Sequence, residues 1–318
     1  MMALPNAVAA AETPIDFYTA MSVEPQTDLV NLIEKKFPDV KVRWVRSGGV
    51  GMYQRFITER SVGKGKIDIL HFSYVPGWYD VIKRNILVDG AAEMGEGKKY
   101  PPWAKGPKGR WIAHRVPTLW LVINTDKVKP ADEPKSWWDL TKPEWKNRIA
   151  SVDPFNSAGV WDTFWAADKI FGKKYIAAIL KNNPLIARGM TGATNAVKRG
   201  ERDVAFTFAY KALPPKNHPN LKLLLMKEGV PVVAAPIALL NDGPNRKAAA
   251  KVFEFMLSKE GQKVMTENVF TSSAHPDVAP PEGLKHLSEY KLIKPDYQKV
   301  FEQQDEYRAF MNEHLRKR

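Results

Sequence analysis

The stretch Arg199 to Lys211, RGERDVAFTFAYK, leaves a polar turn, runs through an apolar strand and stops on Tyr210-Lys211. A phenol can donate one hydrogen bond and an ammonium three, so the pair could hold an anion. Tyr210 is expected to open on a cleft, because the strand before it is apolar and a strand's carboxyl end is where an α/β sheet presents ligand groups. Two roles stay open for Lys211: contact with that ligand, or solvation just past a strand. Other small polar groups stand at comparable places. Ser22 follows the first strand-like run, Ser47-Gly48 the second and Ser73-Tyr74 the third; in the second half, Asn156-Ser157 form a turn and Thr191 and Thr194 open a helix. Their hydroxyl and amide groups, with the unpaired N–H donors of nearby helix starts, would make an uncharged rim selective for an anion. For Ser22 and Ser47, capping of their own helices is the alternative.

Other chemistries find less support. The chain has no cysteine, which excludes thiolate catalysis, disulfides and cysteine-held metals. Its six histidines are isolated, with no pair four apart and no nucleophile elbow; His71 and His114 are expected to pack or hydrogen-bond. Gly48, Gly49 and Gly51 do not fit a dinucleotide fingerprint, and neither Gly63-Lys64 nor Gly97-Lys98 has the spacing of a phosphate loop. No activated nucleophile or acid-base pair is visible, so the chain is not expected to be an enzyme, and no cofactor is expected. The net charge of +13 is spread along the chain without a basic arm, so a solvated basic surface is expected and no nucleic-acid partner. No apolar run approaches the roughly 20 residues a spanning helix needs.

These groups need elements to carry them. Ile15 to Tyr18 reads as a strand, Leu29, Leu32, Ile33 and Phe37 recur at helical spacing, and Val40, Val42 and Trp44 alternate, which together make a βαβ unit. Met52, Phe56 and Ile57 mark a second helix and residues 67–71 a third strand, so the first lobe is α/β. Residues 112–125 and 230–240 read as long strands, each interrupted by a proline (Pro117, Pro236), and suggest a two-strand hinge. Between them, 148–152 reads as a strand and 161–171 as a helix. At roughly 150 residues per domain, 318 residues suit two lobes. We assign 15–117 with 234–285 to lobe 1 and 118–233 with 286–318 to lobe 2. Residues 1–14, rich in small residues and in Ala-x-Ala triplets, read as the remnant of a secretory signal or as a disordered tail.

The segment Pro134-Lys-Ser-Trp-Trp-Asp-Leu140, followed by Pro143-Glu-Trp-Lys-Asn-Arg-Ile-Ala150 and Asp153-Pro154, resembles the family 1 extracellular solute-binding proteins of ABC importers, in the branch of the ferric-ion-binding proteins. Residues 196–203, 259–262 and 275–278 match in the same order, so the resemblance spans about 15–278. It implies an α/β, two-lobed periplasmic-binding-protein fold of type II, each lobe a helix-covered mixed sheet, joined by two crossing hinge strands that close on a ligand. It also implies a location in the periplasm or at the outer membrane face and a membrane permease as partner; a monomer is expected. Iron carriers of this branch place two consecutive tyrosines where this chain has Tyr210-Lys211, and often a His and a Glu where it has Ser22 and Ser73. The resemblance with these departures implies a binding protein without a metal site, taking a small organic anion, a carboxylate, phosphonate or phosphate ester. A ferric carrier that uses a bound anion is the alternative.

Overall fold

Alternating apolar residues set the first strands. In the computed structural model, which describes residues 12–157 and 159–316, strand β1 (Thr13–Thr19) buries Ile15, Phe17 and Thr19 on one face. Helix α1 (Val23–Lys36) lays Leu29, Val30 and Ile33 against the sheet; β2 (Val40–Arg46), α2 (Gly49–Ser61), β3 (Ile69–His71) and α3 (Val75–Lys83) follow. The secretory-signal reading of residues 1–14 falls almost wholly outside the described residues.

The long segment read as one strand is two. β4 (Ile112–Arg115) belongs to the first sheet and β5 (Leu119–Asn124) to the second, because Pro117 has no N–H to continue a ladder. The second sheet adds β6 (Ile149–Val152), β7 (Leu185–Ala187), β8 (Val204–Phe208) and β9 (Leu221–Leu224). The helix expected over 161–171 is only α4 (Trp161–Ala166); α5 (Gly172–Lys181) is separate, and it opens on Gly172 in a left-handed conformation at φ 68°. Helix α6 (Met190–Lys198) precedes β8. The second long segment also divides, into β10 (Val230–Pro231) and β11 (Ala235–Leu239), with the first sheet regained at β11. Pro236 therefore marks a register shift inside β11, and the crossing itself runs through 232–234. Helices α7 (Arg246–Leu257) and α8 (Lys259–Glu267) complete the first lobe; β12 (Leu292–Ile293) pairs with β10, and α9 (Tyr297–Glu302) and α10 (Gln304–Arg316) end the chain.

Sheet 1 runs β2-β1-β3-β11-β4 and sheet 2 runs β7-β6-β8-β5-β9, each mixed. The two crossings lie side by side: the Val233 N–H donates to Pro117 O at 2.9 Å. Both sheets have helices on both faces. In lobe 1, Phe17, Ile33 and Phe253 pack on one side of the sheet, Phe56, Phe72 and Trp78 on the other. Lobe 2 centres on Trp137, Trp161, Phe164 and Phe206. Helices α9 and α10 close lobe 2, where the Tyr297 and Thr163 hydroxyls lie 2.8 Å apart and Trp165 Nε1 donates to Gln303 at 3.0 Å.

The motif that carries the resemblance is architectural. Ser136 Oγ accepts from the Trp138 N–H while the Asp139 carboxylate accepts from the Ser136 N–H, a reciprocal cap. Trp137 Nε1 donates to Gly229 O at 3.1 Å and fastens this turn to the β10 approach.

Candidate functional site

Strands β1, β2 and β3 are parallel, and β4 runs with them across antiparallel β11, so four carboxyl ends of sheet 1 share one edge. In sheet 2, β6, β7 and β8 are parallel and present theirs likewise. A cleft of about 810 Å³ lies between these edges, lined from both lobes. Unpaired N–H groups of the helices that follow these strands converge there.

Of the expected residues, Ser22, Gly48, Ser73, Tyr74, Asn156, Ser157, Thr191, Tyr210 and Lys211 all line the cleft. Ser22 stands at the N-cap of α1, yet its hydroxyl makes no capping bond. Gly48, not Ser47, caps α2, and a Cβ there would meet nothing within 4 Å. Gly49 lets Ser73 approach, since a Cβ there would lie 2.7 Å from Ser73 Oγ. Two residues fall outside the lining. Ser47 sits beneath the α2 turn, its Oγ 2.7 Å from where a Gly51 Cβ would stand. Thr194 is buried, with its hydroxyl donating to Met190 O at 3.0 Å and 2.8 Å from the Thr207 hydroxyl. Helix α6 begins one residue before Thr191, at Met190 with Gly189 as cap, which turns Thr194 toward the sheet.

Tyr74 caps α3 and its ring rests where a Gly77 side chain would be, with Tyr53 beside it at 5.6 Å between centroids. Burial, helped by the Asp162 carboxylate, pushes its hydroxyl up to about 12, so it stays a neutral donor at physiological pH. Tyr210 stacks on Phe208 at 5.9 Å and has two cations near its ring, Lys211 Nζ at 5.3 Å and the Arg115 guanidinium at 6.0 Å from the ring centre. Lys211 is half-buried; desolvation first, then the Arg115 charge, lower its pKa.

Three arginines that motif reading passed over also line the cleft: Arg46, Arg115 and Arg188. Each ends a strand or immediately follows one, β2, β4 and β7 respectively, so strand-end position was the available signal. Arg115 is the most telling. It is 7% exposed, its Nε has no hydrogen-bond partner, and among the described residues no carboxylate pairs with it. An unpaired buried guanidinium is costly and calls for a counter-charge. Against four cations, Glu24 is the one carboxylate among the residues lining this cleft. Among the described residues, no group of three or more His, Asp or Glu side chains is arranged for a metal ion.

Under the cleft floor lies a buried polar cluster. Thr19 Oγ1 donates to Gln26 Oε1 at 3.0 Å and accepts from the Met21 N–H, which leaves His71 Nδ1, 3.1 Å away, as a donor to it. The His71 and His114 rings meet edge to face at 5.4 Å, and neither nitrogen of His114 has a hydrogen-bond partner among the described residues. Gln262 Nε2 donates to His114 O and Met256 O, both at 2.9 Å, and so ties α8 to the strand that delivers Arg115.

Comparison with known proteins places this architecture. The model of the family described as bacterial extracellular solute-binding protein matches residues 82–297. An Fe(3+)-binding periplasmic protein of Serratia marcescens is 25% identical over 282 residues, 85% of this chain and 81% of its own length. A putative 2-aminoethylphosphonate-binding periplasmic protein of Salmonella paratyphi A is 24% identical over 77% of this chain and 73% of its own. Two solved structures share the fold. Iron-bound HitA from Pseudomonas aeruginosa superposes with a TM-score of 0.81 at 21% identity, over 95% of this chain and 99% of that one. AfuA from Actinobacillus pleuropneumoniae, with fructose-6-phosphate bound, gives 0.77 at 21%, over 95% and 97%. The fold is that of type II periplasmic binding proteins.

Proposed function

The chain belongs to the bacterial extracellular solute-binding proteins, and we propose that it captures a small organic anion, a carboxylate, phosphonate or phosphate ester, by hinged closure of its two lobes. It is a periplasmic solute-binding protein of the ABC-importer kind, and its partner is the membrane permease. The observation that carries the anion reading is Arg115, buried and without a carboxylate partner at the hinge end of the cleft, with Lys211 beside it. Hydroxyls of Ser22, Ser73 and Tyr74 and the helix starts of both lobes supply neutral donors around that charge. Closure over the ligand then gives the permease a shape to read. The protein acts as a monomer and transforms nothing: the ligand leaves with the mass it had on arrival.

A second reading has its own support. Tyr210 and Tyr74 both face the cleft, and relatives named for ferric iron match most of the chain. Iron would then sit on phenolates with an anion bridging it to Arg115 and Lys211. The arrangement disfavours bare Fe³⁺, because two nearby cations repel it in a partly desolvated cleft.

A thermal-shift screen separates the classes. A ligand at 100 times its dissociation constant stabilises the fold by about 2.7 kcal/mol. Organic anions should raise the melting temperature, with neutral sugars and cationic amines inert. A rise with sugars or amines alone would overturn the anion reading.

A further inference from the structure

The cations of the cleft are not gathered at one point. Arg115 ends β4, on the hinge edge of sheet 1, and with Lys211 it lies near the Tyr210 ring. Arg46 ends β2 and Arg188 follows β7, and these are the edge strands farthest from the hinge in their respective sheets. Four strand spacings separate β2 from β4, which is about 19 Å between backbones. Long side chains reaching inward shorten that to the span of a small organic molecule. The Arg46 head is steadied by its Nε donating to Met21 O at 3.1 Å, whereas Arg188 is exposed and makes no side-chain hydrogen bond among the described residues. Arg46 and Arg188 belong to opposite lobes, so closing the mouth brings like charges together unless an anion lies between them.

We propose that the cleft takes an organic anion charged at both ends, with its more highly charged head, a phosphonate or phosphate, on Arg115 and Lys211 and a second anionic group clamped at the mouth between Arg46 of lobe 1 and Arg188 of lobe 2. The inference rests on the anion reading above and deepens it. The second head acts as the counter-ion that lets the two rims meet. An ammonium in that place would face two guanidinium groups, with Glu24 alone to offset them. Ligands that pair a phosphonate with an amine should therefore be poor ones.

The test is calorimetric titration of the full chain with three matched probes: 4-phosphonobutyrate, butylphosphonate and 3-aminopropylphosphonate. The first should bind at least tenfold more tightly than the second, and the third most weakly. Arg46→Ala and Arg188→Ala, both at exposed positions, should each bring 4-phosphonobutyrate down toward butylphosphonate, costing the two-headed probe several-fold more affinity than the one-headed one. Unliganded melting temperatures confirm that the variants fold. Equal affinity for the first two probes, a preference for the amine, or indifference to both substitutions would overturn the two-headed ligand and leave the anion reading standing. Binding of none of the three would also overturn it. Failure of every anion in the thermal-shift screen would instead remove the reading beneath it.

Discussion

Arg115 combines two properties that rarely coexist without function, near-complete burial and a charge with no carboxylate beside it. On the proposed reading, a bound anion offsets that cost. Arg115→Met keeps much of the side-chain volume and removes the charge. The unliganded variant should melt higher than the parent, gaining about 1–3 kcal/mol, while anion affinity falls. Lys211→Ala should weaken anion binding roughly tenfold to a hundredfold, the worth of one charge-assisted hydrogen bond of about 1.5–3 kcal/mol. Calorimetry beside thermal melts reads both effects. A structural arginine would behave otherwise: its loss would lower the melting temperature and leave affinity alone.

At the scale of elements, strands β3 and β4 carry a pH response through His71 and His114. Both rings are fully buried, and desolvation leads the causes that lower their pKa, with Arg115 adding to it for each; His114 falls to about 3. The unfolded chain, with histidines near 6.5, binds protons that the folded one refuses. Stability from these residues is thus present above about pH 6.5 and lost as the pH falls toward their folded values, by up to about 1.4 kcal/mol per pH unit for each ring. Asp162 on α4 opposes them, because burial raises it to about 6 and its contribution grows as the pH falls below that. Two histidines outweigh one aspartate, so the melting temperature should drop between pH 7 and pH 5. His114→Leu should flatten that fall; an unchanged slope would contradict the account.

The same elements explain what could be read without coordinates. The βαβ opening was legible because Ile15, Phe17, Val40 and Val42 alternate over whole strands. The hinge was legible from its prolines, but its breaks were not placed, since apolar periodicity continues through Pro117 while the hydrogen bonds change sheets. Nine of the eleven expected rim residues line the cleft, read from strand ends, a turn and a helix start. Thr194 was misjudged because one residue of helix phase decides whether a hydroxyl faces cleft or sheet. The arginines escaped because their type is common on surfaces, and only the sheet order tells which strand ends converge.

The whole molecule is two helix-covered sheets whose carboxyl edges face one another across a hinge of two crossings, with a cationic cleft between. The net charge of +13 is spread over the chain, yet within the cleft it is concentrated on four side chains and scarcely neutralised. On the proposed reading, that concentration would favour rapid capture of an anion and make closure depend on its presence. If the natural cargo is a small organic anion taken up unchanged, native mass spectrometry of the protein released gently from cells should show an added mass that dissociates as an intact organic anion, the same species before and after prolonged incubation. An added ferric ion without any organic anion, a neutral sugar, or a mass that changes on incubation would rule that cargo out.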